Sequence, residues 1–245
     1  MKIVFTFTIL LCFLLQAQTQ TQFFSTVKIE FAKTTNVHAY YKELDEDFFN
    51  YVRDHWPKEV TTFYEFVGDS NRSVYKPGKE IAVDQNQDYR GVADKNVVYT
   101  DYVAGTSVAQ KPVFEETFLV FDSLTKIKWK VTPDTRTIAG FECRKAVGIL
   151  DDSIAVFAFY TDELMIKGGP EGIHGLPGMI LGVGVPRLHS TWFATKVQVF
   201  DVNMNTVVPA TKGKKVNRAT MMKSLDKVLR QWGTYGSKMI VNFEI

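Results

Sequence analysis

A mainly β (β-rich α+β) fold is predicted: a curved antiparallel sheet or open half-barrel, similar to lipoprotein carriers, with one or two helices packed on it. Three observations predict it. Period-two alternation of apolar and polar residues dominates from Phe23 onward. The alternating runs follow one another at short spacing, and short links favour antiparallel neighbours because parallel pairs need long crossovers. The chain also holds 19 Phe, 10 Tyr and 4 Trp, a rich supply of residues that fit a pleated surface.

Each element follows from its local pattern. Val27, Ile29 and Phe31 alternate with Lys28 and Glu30, which predicts a strand with one buried face. Leu44, Phe48, Phe49, Val52 and Trp56 recur at helical spacing before Pro57. Residues 61–67 read as a strand, and Gly68-Asp69-Ser70-Asn71 as the turn into a second at 73–76. Further strands are predicted at 97–103, 116–121, 127–131, 141–149, 154–161 and 191–200. The run 154–160 is apolar on both faces, so something must cover each: a helix or loop, or an apolar ligand in the mouth of an open barrel. Met221, Met222, Leu225, Val228, Leu229 and Trp232 mark one face of a helix, with Asn217 as N-cap and Gly233 as stop. No fixed period repeats, so a solenoid is excluded and a single domain over 18–245 is expected.

Residues 1–17 read as a signal peptide. Lys2 supplies the positive start, and 3–15 is apolar except for Thr6 and Thr8. A membrane-spanning helix needs about 20 apolar residues, so this run is too short to be one. Ala17 is the expected cleavage point, and Cys12 is not preceded by the small residues of a lipoprotein-processing site. Export to the periplasm or beyond, without a membrane span, is therefore expected. Losing 1–17 removes one lysine and no acid, which takes the formal net charge from +2 to +1. It also removes Cys12 and leaves Cys143 without an internal disulfide partner.

Composition is otherwise that of an ordinary globular chain, with 45% hydrophobic and 23% charged residues, which excludes a disordered tail, a collagen and a disulfide scaffold. Charge is uneven within it. Eight acids lie between Glu43 and Asp69, and eight bases between Val202 and Lys238. Lys212, Lys214, Lys215 and Arg218 begin the basic stretch, which is either a solvated face or a docking patch for an anionic partner or membrane headgroups. A near-neutral exported chain is a poor nucleic-acid binder.

The least ordinary stretch is 168–184, where seven glycines and two prolines punctuate an apolar segment. Proline fixes φ while glycine permits positive φ and close backbone approach, so Leu176-Pro177-Gly178 predicts a tight turn. Neither phosphate-binding glycine pattern is present, and no cofactor is expected. Gly169, Pro170, His174, Gly175, Leu176, Pro177, Gly178, Met179 and Ile180 form the candidate ligand or partner loop, folded back over the core at a cavity mouth.

Gly175-Leu176-Pro177-Gly178-Met179-Ile180 closely resembles the hallmark of the GLPGLI family, with Met179 in place of the usual leucine. The resemblance continues through Trp129, Ile138, Gly140, Cys143, Lys145 and Ala146, and through 158–164, where Phe159 stands at a position more often Trp. It covers roughly residues 117 to 200. It implies an exported, β-rich envelope protein of Bacteroidota-type bacteria, of a kind often found beside outer-membrane uptake systems, and implies no particular reaction.

Catalytic chemistry finds little support. A Cys–His nucleophile would need Cys143 beside His38, His55, His174 or His189, with its thiolate exposed and favoured. Alternation with Phe141 instead predicts an inward, apolar Cys143. The four histidines are dispersed and form no metal-ligating pair, so no metal is expected. Asp151-Asp152 reads as turn chemistry. The expectation is a non-catalytic envelope protein that binds an apolar ligand, such as a lipid, or a partner protein on a curved sheet. The alternatives are an accessory subunit of an outer-membrane transport complex and a Cys143-dependent enzyme.

Overall fold

A computed structural model of the chain describes residues 24–78, 93–150 and 153–245. The signal segment with its cleavage point at Ala17, and the turn at Asp151-Asp152, lie outside the described residues.

The first strand sets the plan. β1 (Thr26–Asn36) buries Val27, Ile29 and Phe31 completely, and the same inward face continues through Lys33 and Thr35. Asn36 then caps α1 (Val37–Leu44), its side chain accepting from the Ala39 amide. Asp45 is extended, and its carboxylate caps α2 (Glu46–His55) through the Phe48 amide. α2 stops at Trp56, where Pro57 disfavours further helix. β2 (Glu59–Asp69) runs back along β1. β3 (Arg72–Pro77), β4 (Val97–Asp101), β5 (Thr106–Val113) and β6 (Glu116–Ser123) continue as an antiparallel meander.

The second half meanders toward β1 from the opposite edge. β7 (Lys130–Ile138), β8 (Phe141–Leu150), β9 (Ile154–Thr161), β10 (Met179–Val185) and β11 (Ser190–Gln198) pair in turn, and β11 closes on the free side of β1. β12 (Lys214–Val216) adds to β6 in parallel, and α3 (Arg218–Leu229) and α4 (Gly233–Met239) follow. The described residues thus form one open twelve-stranded sheet ordered β12-β6-β5-β4-β3-β2-β1-β11-β10-β9-β8-β7.

Curvature follows from connectivity. Laid flat, β6 and β7 would stand ten strand spacings apart, about 48 Å at 4.8 Å each. The link between them is only residues 124–129, which reaches about 25 Å fully extended. The sheet must therefore curl until its two ends approach. This also explains a departure from the sequence reading. Residues 127–129 are not strand: Ile127 and Trp129 spend their apolar side chains on Gly148 of β8, and pairing starts at Lys130, so only the end of the expected 127–131 strand falls in β7.

Further elements differ from expectation, β5 and β10 among them. β5 was not visible as a strand because Lys111 and Pro112 interrupt its pattern, yet Lys111 faces inward there. Residues 179–185, read as part of a loop, are a wholly buried strand. Gly182 and Gly184 of β10 stand opposite Phe159 and Phe157, and an added Cβ at Gly182 would come within 2.8 Å of the Phe193 ring. The glycines make room for these rings to lie on the outer face of the sheet. Arg136 sits over Phe193 at 4.3 Å and helps cover that face, while Val156, Ala158 and Tyr160 belong to the inner core. Protein side chains thus cover β9 on both sides.

Met221, Leu225 and Leu229 of α3 are buried, and α3 packs beside β6. Asn217 caps the helix as read from the sequence, and Gly233 closes the turn after it at φ +64°. A smaller cluster of Val67, Val74 and Val207 lies apart from the main core.

Candidate functional site

The inward rows of the sheet carry polar residues where a plain core would carry apolar ones. Register aligns Lys33 of β1 with Trp192 of β11, and Thr35 with Ser190. Their side chains meet: the Thr35 and Ser190 hydroxyls are 2.8 Å apart, and Lys33 Nζ lies 5.2 Å from the Trp192 ring centre. On the other side, β3 supplies Tyr75, β4 Val98 and Thr100, and β5 Ala109 and Lys111.

Between these rows enters the turn of Pro170–Gly172. It presents Glu171 to the interior with a left-handed backbone, φ +54°, which costs a non-glycine residue energy and persists only where its surroundings enforce it. Gly172 follows at φ +76°, and an added Cβ would come within 3.0 Å of Val98. The Asn96 amide donates to Glu171 Oε2 at 3.1 Å. Glu171 is surrounded by protein and keeps its remaining accessible surface in the cavities it lines. Burial raises its pKa above the ordinary 4.5, opposed by Lys33, the Asn96 hydrogen bond and Lys111.

Lys33 is buried and ion-paired to Asp94 at 2.5 Å, and Asp94 also accepts from the Tyr64 hydroxyl. Buried ions need partners of this kind, since desolvation otherwise removes the charge. Lys111 donates to the Phe243 carbonyl at 3.2 Å and to the main-chain oxygen of Ile245 at 2.6 Å, and Arg218 donates to the Glu244 carbonyl. These bonds strap residues 243–245 to β5 and to the start of α3.

Glu171 lines two cavities among the described residues. The larger, about 120 Å³, lies between β4, β5, β6, the 124–127 link, the 171–174 turn and the start of α3. The smaller, about 20 Å³, lies beside Asn96, Trp192, Tyr40 and Asn242. Three buried polar atoms around this region lack a hydrogen-bond partner among the described residues: Tyr75 Oη, Asn96 Oδ1 and Trp192 Nε1. Such orphans are rare in folded proteins and call for an explanation.

The candidate loop is only partly at this site. His174 lines the larger cavity, with Nδ1 2.8 Å from the Gly172 carbonyl and its own carbonyl accepting from Trp129 Nε1 at 2.9 Å. Gly169 packs against Ile180, Pro170 is buried, and Gly175 turns at φ +97° beside the Trp129 indole. Leu176 is buried, Pro177 is exposed, and Gly178 lies against the Thr161 carbonyl, where a Cβ would not fit. Met179 and Ile180 are fully buried at the start of β10. Of the other motif positions, Ile138, Cys143 and Ala146 are core, Gly140 forms the β7–β8 turn at φ +89°, and Lys145 pairs with Asp134 at 3.2 Å.

The basic stretch divides. Lys212 and Lys215 are exposed, Lys214 pairs with Glu116 at 3.2 Å, and Arg218 turns inward to the strap and the larger cavity. Cys143 is a free thiol, wholly buried, and burial followed by Glu163 pushes its pKa up to about 12, the opposite of an activated thiolate. His38 and His55 contact the carbonyls of Trp56 and Tyr51, and His189 contacts Glu43. Among the described residues no group of three His, Cys, Asp or Glu is placed to hold a metal.

Lys33, Asn96, Lys111, Glu171 and Trp192 escaped the sequence reading. The detectable clue was the continuation of the β1 alternation, Val27, Ile29, Phe31, Lys33, Thr35, which keeps a lysine on the buried face. Asn96 and Glu171 lie outside strands, and no periodicity marks them.

Comparison with known proteins locates the fold. Residues 114–231, just under half of the chain, match the family described as N-glycanase peptide, N-terminal domain (PNGase F-II). Two crystal forms of PNGF-II superpose with TM-scores of 0.52 and 0.53 at 16% identity, over 86% of this chain. The chain spans about a third of the length of PNGF-II, 33% and 34% in the two forms. No curated protein matches the chain. At this identity the likeness is one of fold, a mainly β architecture shared with a portion of PNGF-II.

Proposed function

We propose that the chain is an exported envelope protein without catalytic activity, of the GLPGLI type, that binds a small ligand on the concave face of its curved sheet. The observation that carries this reading is the pair of cavities that Glu171 lines, the smaller of them bordered by Asn96 and Trp192, whose Oδ1 and Nε1 lack hydrogen-bond partners among the described residues. Polar groups buried without partners cost roughly 1–3 kcal/mol each, so a ligand that fills them gains that energy on binding. The wall is also part apolar, with Val98, Val120, Leu150, Ile173 and Met221 along the larger cavity. Ligand pockets for drug-sized molecules run about 300–1,000 Å³. A cavity of about 120 Å³ favours a compact ligand over an acyl chain.

A second reading takes the chain as an accessory module for a partner, in an outer-membrane transport complex or beside an N-glycanase. It draws on the family match, in which the corresponding fold is one domain of a longer protein, and on the exposed Lys212 and Lys215.

The test is native mass spectrometry of the chain purified without detergent, combined with tryptophan fluorescence on wild type and Trp192→Phe. Binding of a compact ligand with a fluorescence change lost in Trp192→Phe supports the concave site. A clean apo mass with no ligand response, and co-purification with a membrane complex that is lost on neutralising Lys212 and Lys215, would favour the accessory module instead.

A further inference from the structure

We propose that the larger cavity takes a small primary ammonium ion with a short aliphatic body, and that Glu171 recognises its charge. This rests on the cavity being a binding site and adds the chemical class of its occupant.

Glu171 burdens the free protein twice. Its backbone is left-handed at φ +54°, a strain that gathers at ligand-binding sites. Its carboxyl is surrounded by protein, and no cation among the described residues lies at ion-pair distance from it. Its one hydrogen bond comes from the Asn96 amide, to Oε2 at 3.1 Å. Oε1 is left without a partner, and the surface that the residue keeps lies in the cavities it lines. Lys33 and Lys111 act on it only from further off. Lys33 is closed by Asp94 at 2.5 Å, and Lys111 by main-chain oxygens of Phe243 and Ile245. A buried carboxylate in this state costs energy that a bound cation returns.

The wall of the larger cavity fits that sign. It carries Glu171, Asp122 and Glu244 against Lys111 and Arg218, an excess of one negative charge. Arg218 donates to the Glu244 carbonyl, and its amide to Asp122 at 3.2 Å. The remaining titratable group there, His174, has Nδ1 2.8 Å from the Gly172 carbonyl. An anion would face the unpaired Glu171 oxygen and be repelled. A neutral molecule would leave the carboxylate desolvated and without a counter-ion. A monocation balances the wall.

The kind of cation follows from the oxygens on offer. A guanidinium is a planar fork suited to two carboxylate oxygens, and Asn96 already takes one of the pair on Glu171. A divalent metal needs a set of several oxygen ligands, and no group of three His, Cys, Asp or Glu among the described residues is placed to hold one. An ammonium is a compact charge that needs a single carboxylate oxygen, with further N–H donors for neighbouring hydroxyls. Thr100 supplies one such neighbour: its hydroxyl stands 3.8 Å from where a Cβ on Gly172 would lie. Val98, Ala109, Val120, Leu150, Ile173 and Met221 line the rest of this cavity of about 120 Å³, so the body of the ligand is aliphatic and short.

The experiment titrates the full chain with n-butylamine, n-butanol and butyrate, one skeleton with a cationic, a neutral and an anionic head. All three are held at the same neutral pH and ionic strength, and binding is read by calorimetry and by the rise in Tm. Butylamine is expected to bind about tenfold more tightly than butanol, the worth of one charged hydrogen bond, and butyrate not at all. Glu171→Gln keeps the shape without the charge and is expected to bring butylamine down to the level of butanol. The order of the three ligands on wild type needs no variant, so the class is read even if Glu171→Gln fails to fold. Ala109→Leu fills the larger cavity and is expected to abolish butylamine binding. Butanol or butyrate binding as tightly as butylamine, or butylamine binding unchanged in folded Glu171→Gln or Ala109→Leu, overturns the assignment. No binding by any of the three overturns the chemical class, and together with a clean apo native mass it overturns the cavity as a site.

Discussion

At the scale of single residues, Glu171 and Cys143 show how burial sets chemistry. Glu171 combines a left-handed backbone, a surrounded carboxyl and a hydrogen bond from Asn96. Burial is the largest influence on it and raises its pKa, while Lys33 and Lys111 pull the other way. A folded-state pKa above the unfolded value means stability present below about pH 4.5 and lost as pH rises through the folded pKa. Glu171→Gln keeps the shape and cannot ionise. Its Tm should therefore exceed that of wild type at pH 7, with the difference shrinking toward zero below pH 4.5. An equal or lower Tm at pH 7 would show that the two lysines outweigh desolvation. Cys143 carries the same sign: its pKa of about 12 against an ordinary 9.0 favours the thiol throughout the physiological range. Iodoacetamide at pH 8.5 should leave the native chain unmodified and alkylate it fully in guanidinium. Cys143→Ala should cost about 1 kcal/mol by leaving a small void. Rapid native alkylation would revive the thiol as a reactive group. The inward Cys143 was legible from its alternation with Phe141. Glu171 was not, because a left-handed turn residue obeys no hydrophobic period.

At the scale of elements, the sequence pattern was clearest where one face of an element met water. β2, β8 and α3 were readable because alternation or helical spacing marks a boundary between core and solvent. β10 is buried along its whole length, so its run of Met, Ile, Leu, Gly and Val has no polar side to reveal a strand. Its glycines suggested a loop, yet Gly182 and Gly184 serve packing: each faces an aromatic ring of β9 across the pair. At Gly184 an added Cβ would overlap the Phe157 ring outright. Gly184→Ala should therefore destabilise the fold by about 1–3 kcal/mol, the usual cost of overpacking a tight site. Gly184→Ala combined with Phe157→Ala should cost less than the sum of the two single changes, because loss of the ring removes the clash and the added methyl fills part of the void. Strict additivity in urea denaturation would mean that the glycine answers to backbone conformation and not to the ring. The strand expected at 127–131 begins only at Lys130 for a related reason: Ile127 and Trp129 are apolar because they pack across Gly148, not because they pair.

At the scale of the whole molecule, one strand joins two meanders. β1 is hydrogen-bonded to β2 along its length and to β11 on its other side, with a register irregularity between Glu30 and Phe31. The far edges are β7, exposed along most of its length and interrupted by Pro133, and the three-residue β12. Short or proline-bearing edges resist further strand addition. The antiparallel plan was foreseeable from short links, but the joining of first and eleventh strands was not, since no local pattern encodes a pairing across 150 residues. This arrangement makes a prediction about cooperativity. Opening at an edge breaks one ladder, whereas exposing the β1 amides requires both halves to separate, together with Lys33, Thr35 and the cavity wall that they help to build. Native-state hydrogen exchange should therefore show β1 amides protected to nearly the global unfolding free energy, and β7 and β12 amides exchanging through local openings of much lower cost. If β2–β6 and β8–β11 instead exchange at two distinct free energies, with β1 following only one of them, the molecule is two cooperative units. The concave site would then sit on a seam that can open without unfolding either half.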